Sequence, residues 1–285
     1  MKRNVAGVFV AMAIGCGLST LASAEVFNLA PGALLHLSGT VGINIQNGLE
    51  TGSGSFVQQG ANGLDGALTG TIVANASGGN LVLPGGGQID VANSGSWLPN
   101  NLPGAFGFTA HVALSGPIPN SFVDLVGNIR DLKFDLVGST PLSGPGGNQT
   151  FSTAGIQLVT VSGFLNAEVT ACANGTCDTQ TIPEENLAAP PNDPLNTLQG
   201  SLITAGNIRT LTLPLSITTT DTQSDTVQGV TVSLTLTSTL ENPALNPIVA
   251  TATIPEPATW AAMLIGVLGL GAFSRRKLSE AIALS

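Results

Sequence analysis

The strongest periodic signal along this chain has a period of two. From Val230 to Leu236 the even positions hold Val230, Val232, Leu234 and Leu236, while Thr231, Ser233, Thr235, Thr237 and Thr239 occupy the odd ones. Successive side chains of a strand point to opposite faces, so this segment predicts a strand with one apolar and one hydroxyl face. Thr210 to Thr218 repeats the pattern, with Leu211, Leu213, Leu215 and Ile217 inward, and is the expected partner. Pro214 falls on the outward phase; without an N–H to donate, it places this strand at an edge or at a bulge. Thr219 to Gly229, which carries Asp221, Asp225 and Gly229, is expected to form the connector.

Other segments read the same way. Leu35, Leu37, Val41, Ile43 and Ile45 share one phase, and Leu68, Ile72 and Ala74 another. Phe106, Phe108, Ala110, Val112 and Leu114 follow, then Leu132, Phe134 and Leu136, then a strand-like stretch from Ile156 to Thr170 broken by Gly163. A convincing helical period of 3.6 appears nowhere in this part of the chain. The expected fold is all-β and antiparallel, a β-sandwich or a partly closed barrel. Leu37-Ser38-Gly39, Leu68-Thr69-Gly70, Leu114-Ser115-Gly116 and Val161-Ser162-Gly163 echo one another at spacings of 31, 46 and 47 residues. A β-solenoid, the alternative architecture, needs a near-constant period, so these glycines read as bends or bulges of a curved sheet. Two stretches look irregular: Gly78 to Pro103, rich in Gly, Pro and Asn around Trp97, and the acidic Pro183 to Pro194, which is expected to be a surface loop.

The two ends have a different character. Lys2 and Arg3 precede an apolar run from Val5 to Leu18, and Ala22-Ser23-Ala24 is a small-residue cleavage site. This predicts a secretory signal peptide over 1–24, cut by signal peptidase between Ala24 and Glu25. A lipoprotein signal using Cys16 is the rival, but Ala13-Ile14-Gly15 does not supply its usual leading Leu. At the far end, Pro255-Glu256-Pro257 makes an extended, helix-breaking start. Ala258 to Phe273 is then sixteen uncharged residues. As a helix these cover about 24 Å, enough for a short transmembrane segment over 258–273. The cluster Arg275, Arg276 and Lys277 closes the segment and, by the positive-inside rule, sits in the cytoplasm with the body outside.

A Pro-Glu-Pro triplet, an apolar helix and a basic cluster in that order resemble the PEP-CTERM sorting signal of Gram-negative bacteria. The resemblance covers about residues 254–277, and Leu278 to Ser285 extends further past the basic cluster than such signals usually do. It implies transient anchoring in the inner membrane and processing near the triplet by an exosortase-type transpeptidase. It further implies a destination at the cell surface or in extracellular matrix, where such substrates accompany exopolysaccharide and biofilm. The chain thus divides into a signal peptide (1–24), an extracellular all-β domain (25–253) and a sorting signal (254–285).

Charge changes the picture only by exclusion. The body holds 15 acids against Arg130, Lys133 and Arg209, a net charge of 3 − 15 = −12. That argues against nucleic acid and anionic lipid as partners and leaves extracellular polysaccharide open. Tyr is absent and Trp97 is the body's only Trp, so Trp97 is the candidate sugar platform of the alternative reading, a glycan-binding module. Cys172 and Cys177 bracket Ala173-Asn174-Gly175-Thr176. Asn-Gly favours a tight hairpin turn, which sets the two cysteines opposite each other at disulfide distance in an oxidising location.

A search for chemistry finds little. There is no G-x-S-x-G elbow, no H-E-x-x-H and no phosphate-binding glycine loop. His36 and His111 fall on polar phases and are expected to be exposed. Asp221-Thr222-Gln223-Ser224-Asp225 lacks the glycine and glutamate of a calcium loop, so no metal is expected. Asp131, Lys133 and Asp135 alternate as a surface charge ladder. A paired-carboxylate hydrolase would have to draw on Asp124, Asp131 or Asp135. The reading is a structural protein without catalytic residues or cofactor.

Overall fold

The computed structural model describes residues 24–45, 49–188, 193–227, 230–242 and 248–253. The predicted signal peptide up to Ser23, the helix 258–273, and the sorting residues Pro255, Glu256, Pro257, Arg275, Arg276 and Lys277 lie outside the described residues. Among the described residues no helix is long and apolar enough to cross a membrane.

The described chain is built from antiparallel strands. The first are β1 (Glu25–Leu29), β2 (Leu34–Ile45), β3 (Glu50–Ser55), β4 (Val57–Gln58) and β5 (Asp65–Ser77). Next come β6 (Asn80–Pro84), β7 (Gln88–Val91), β8 (Gly95–Trp97), β9 (Leu102–Gly104), β10 (Phe106–Ala113) and β11 (Phe122–Pro141). Then follow β12 (Asn148–Ser152), a single 3-10 turn (Thr153–Gly155), β13 (Ile156–Ala173), β14 (Thr176–Asn186) and β15 (Asp193–Pro194). The last are β16 (Gln199–Ala205), β17 (Ile208–Leu213), β18 (Ser216–Val227), β19 (Val230–Glu241) and β20 (Ile248–Thr253).

The pairings form a ring with wings. β2 pairs β5, β5 pairs β7, β7 pairs β11 and β11 pairs β10. The chain after β10 returns to β3 through the reciprocal bonds of Thr51 and Ser115, 3.1 and 2.8 Å, and β3 pairs β2. One wing runs β5-β1-β20-β17-β16-β12, a second adds β13 and β14 to β11, and a third adds β19 and β18 to β2.

Two long strands change neighbour midway. β5 gives one side to β2 through Ala67 and then to β1 from Thr71. Gly70, at φ +116, stands at the hand-over, where a Cβ would meet the Gln88 carbonyl at 2.1 Å. β11 is bounded on one side by β10 up to Ile129 and by β7 from Lys133, and the bulge between them holds Asp131 at φ +52. Asp tolerates that left-handed backbone better than most residues. Of the echoing glycines, Gly70 thus marks a bend, while Gly116 lies in the loop after β10.

Apolar alternation positions the core. Leu35, Leu37, Val41, Leu68, Ile72, Phe106, Val112, Phe134 and Leu136 are all buried. Leu211, Leu213, Leu215 and Ile217 are buried too, but Pro214 splits their segment: β17 ends at Leu213 and β18 starts at Ser216. The expected connector Thr219 to Gly229 is mostly strand, with Thr219↔Ser238 through Val227↔Val230 extending the hairpin. The expected irregular stretch Gly78 to Pro103 holds β6, β7 and β8 and runs into β9. Pro183 does not begin a loop; β14 continues through it to Asn186.

β1 and β20 lie side by side and antiparallel, with Asn28↔Thr251 and Leu29↔Ala250. The start of the body and its last strand residue, Thr253, therefore share one end of the sheet. There the Glu25 carboxylate meets the Arg209 guanidinium at 2.6 Å.

Candidate functional site

Trp97 closes β8 and turns inward. It is 8 % exposed, its Nε1–H donates to the Gly104 carbonyl at 3.1 Å, and Asn128 Nδ2 donates to its own carbonyl at 3.0 Å. Glycines line the ring: a Cβ on Gly107 would stand 2.4 Å from Cγ, and one on Gly95 2.5 Å from Cζ2. A ring enclosed in this way has no free face for a sugar. Trp97 is therefore an anchor of the β8–β9 flap on the body, a correction to its candidacy as a platform. Gly95, one of the glycines that make Gly78 to Pro103 look irregular in sequence, helps to make room for it together with Gly104 and Gly107.

The acids of β11 are spread along the strand. Asp124 lies opposite His111, Nδ1 to Oδ1 2.6 Å. Asp131 joins Arg130 at 2.9 Å, and Arg130 also reaches Glu184 at 2.6 Å while covering the Phe164 ring at 4.6 Å. The hydrogen bond from Arg130 holds the Glu184 carboxyl below its ordinary range. Lys133 pairs with Asp90 at 3.5 Å, and Asp135 accepts from the Gly86 and Leu136 N–H groups. The expected Asp131–Lys133–Asp135 ladder is thus replaced by other partners: Arg130 on the same strand for Asp131, Asp90 on β7 for Lys133, and two backbone N–H groups for Asp135. His36 and Asp65 form a second cross-strand pair at 2.7 Å. Among the described residues no three His, Cys, Asp or Glu side chains gather as metal ligands.

Cys172 and Cys177 form a disulfide across the ladder, with Cα atoms 4.1 Å apart and Ala173↔Thr176 beside the turn. Asn174 and Gly175 take φ +51 and +79, the left-handed pair that such a turn demands. Beyond it every residue of β14 is exposed.

The outer face of the β18-β19-β2-β3 wing is a uniform hydroxyl surface. Thr220, Thr237, Thr40 and Ser55 stand in register across four strands, followed by Thr222, Thr235, Gly42 and Ser53, then Ser224, Ser233, Asn44 and Thr51. Thr218, Thr239 and Ser38 begin the array. Cross-strand hydroxyls are bonded to each other: Thr218–Thr239 3.0 Å, Thr220–Thr237 3.2 Å, Thr222–Thr235 3.1 Å and Ser224–Ser233 2.7 Å. Each such pair uses one O–H donor and keeps another, with acceptor lone pairs to spare. No charge and no aromatic ring interrupts these rows. The odd-position threonines of β19 were visible in the sequence, but only the register sets them beside those of β18 and β2.

These observations define an antiparallel β body with a neutral hydroxyl face. A family model described as the PEP-CTERM protein-sorting motif matches residues 253–277. The chain carries this sorting signal directly after β20, and the signal implies an exported protein that an exosortase processes and directs to the envelope or surface. No curated protein matches the chain. Among solved structures, the "TodX monoaromatic hydrocarbon channel deltaS2 mutant" aligns over 83% of this chain and 92% of that chain at 7% identity. Its TM-score of 0.17 is too low for the likeness to carry any argument.

Proposed function

We propose that this protein is a structural component of the cell surface or extracellular matrix of a Gram-negative bacterium, without catalytic activity. In this reading signal peptidase cuts after Ala24. The segment 258–273 then holds the body transiently in the inner membrane, and exosortase releases it beside Pro255-Glu256-Pro257. The sorting motif at 253–277 carries the proposal. Replacing Pro255, Glu256 and Pro257 with Ala tests it: the variant should stay cell-associated at full length, whereas wild type loses its tail. Equal tail loss in both would refute processing at the triplet.

A second reading, a glycan-binding module, gains support from the hydroxyl face and loses it from Trp97. Four strands about 4.8 Å apart and rows about 6.8 Å apart give roughly 14 by 20 Å of repeating donors and acceptors. Such a lattice suits a neutral, extended polysaccharide, because many weak hydrogen bonds fall in phase and no charge needs desolvation. Co-sedimentation with the producer's own extracellular polysaccharide checks this. Thr237→Lys should abolish the binding and Trp97→Phe should spare it; the reverse pattern would restore Trp97 as the contact.

A further inference from the structure

A cavity of about 290 Å³ opens between the β18-β19-β2 wing and the β11–β13 pair. We propose that it binds a small apolar molecule carrying one amine, a ligand chemistry separate from the hydroxyl face. The volume of about 290 Å³ falls just short of the ~300–1,000 Å³ typical of small-molecule sites, which suits a small ligand. Its floor is apolar: Phe56 and Phe108 stack at 4.4 Å, and Leu158, Leu165 and Leu236 continue the surface. Its polar lining is one-sided. Glu185, Asp193 and Asp221 border it, with the Thr219 and Ser238 hydroxyls, and no Lys, Arg or His is among the lining residues.

That arrangement selects among occupants. A carboxylate ligand would meet only acidic groups among the ionisable side chains of the lining. A metal ion needs converging ligands, and these acids do not gather as such a group. An alkyl ammonium satisfies both parts of the cavity: its chain removes apolar surface from water, and its N–H donors make charge-assisted bonds to the carboxylates. The body's own cations are engaged elsewhere: Arg130 with Glu184, Lys133 with Asp90 and Arg209 with Glu25. Burial also holds the Asp193 carboxyl above its ordinary range, as expected of an acid sunk into an apolar wall.

Titration calorimetry of the purified protein with octylamine, octanoate and octan-1-ol, equal in chain length, tests the proposal. Octylamine should bind saturably at one site, octan-1-ol at least tenfold more weakly, and octanoate not at all. Asp193→Asn should weaken octylamine about tenfold, and Asp178→Asn, on the exposed hairpin, should leave it unchanged. Leu165→Trp, which fills the cavity, should remove binding. The proposal is overturned if octanoate matches octylamine, if Asp193→Asn and Asp178→Asn act alike, or if a folded Leu165→Trp protein still binds.

Discussion

Replacing Trp97 with Ala separates an anchor from a platform. The ring is 8 % exposed and packed on glycines, so its removal opens a cavity that backbone cannot easily collapse to fill. Large-to-small changes of this kind cost about 3–5 kcal/mol. The Gly104 carbonyl also loses one of its two donors but keeps the Ser94 N–H at 2.8 Å, so this adds at most about 1 kcal/mol. A total near 4 kcal/mol should lower the unfolding midpoint by roughly 8–16 °C for a body of this size. The measurement is thermal and guanidinium unfolding of wild type, Trp97→Ala, Gly107→Ala and the double variant. Gly107→Ala drives a Cβ to 2.4 Å from Trp97 Cγ, an overpacking that costs about 1–3 kcal/mol while the indole is present. With the indole gone the two closest clashes go and only the contact with the residue 97 Cβ, at 2.7 Å, remains, so the two losses should fall short of additivity by about 1 kcal/mol. A Trp97→Ala loss below about 1 kcal/mol, or additivity within ~0.5 kcal/mol, would refute the packing argument.

Other expectations follow from single contacts. Burial lifts the Glu25 carboxyl above its ordinary range, against the smaller opposing pull of Arg209. The folded state then binds this proton more tightly than the unfolded chain, so its contribution is greatest below the ordinary carboxylate range and declines as pH rises through the raised value. Glu25→Gln should flatten that part of the stability–pH curve, and identical slopes for the two proteins would count against it. Replacing Cys172 and Cys177 with Ser opens a six-residue loop (sequence separation 5), worth roughly 2 kcal/mol in the chain-entropy model. The loss should appear as faster amide exchange near the β13–β14 turn, with the main melting transition little moved; a collapse of the whole transition would contradict a local role. Gly54→Ala would bring a Cβ to 2.1 Å from the His111 carbonyl, where β3 approaches β10. It should loosen the closure of the ring, seen as lost exchange protection at Thr51 and Ser115.

The parts of this fold that could be read in sequence are those where one face is buried. Leu211, Leu213, Leu215 and Ile217 alternate because every second residue enters the core. From Thr218 onward β18 is a wing-edge strand whose described side chains are exposed on both faces. Alternation has nothing to record there, and the segment reads as a connector. The continuation of β14 through Pro183 to Asn186, exposed throughout, escapes notice for the same reason. The disulfide was legible because Asn174-Gly175 fixes its own register locally. The hydroxyl rows and the cavity were not, since both depend on which distant strands meet: Thr237 is brought to Thr40, and Leu158 to face Leu236, by pairings separated by many residues.

The neighbouring positions of β1 and β20 have a mechanical consequence. Glu25 and Thr253 leave the sheet at one rim, so a pull on either end of the chain loads the same corner of the body. The far wings, with the hydroxyl face and the disulfide-closed hairpin, stay outside that load path. β20 is clamped between β1 and β17, and its last paired residue is Thr253, two short of Pro255. A cut at or beyond the triplet therefore leaves the pairing of β20 with β1 and β17 through Thr253 in place. A cut a few residues earlier would draw out a central strand and unzip both neighbours.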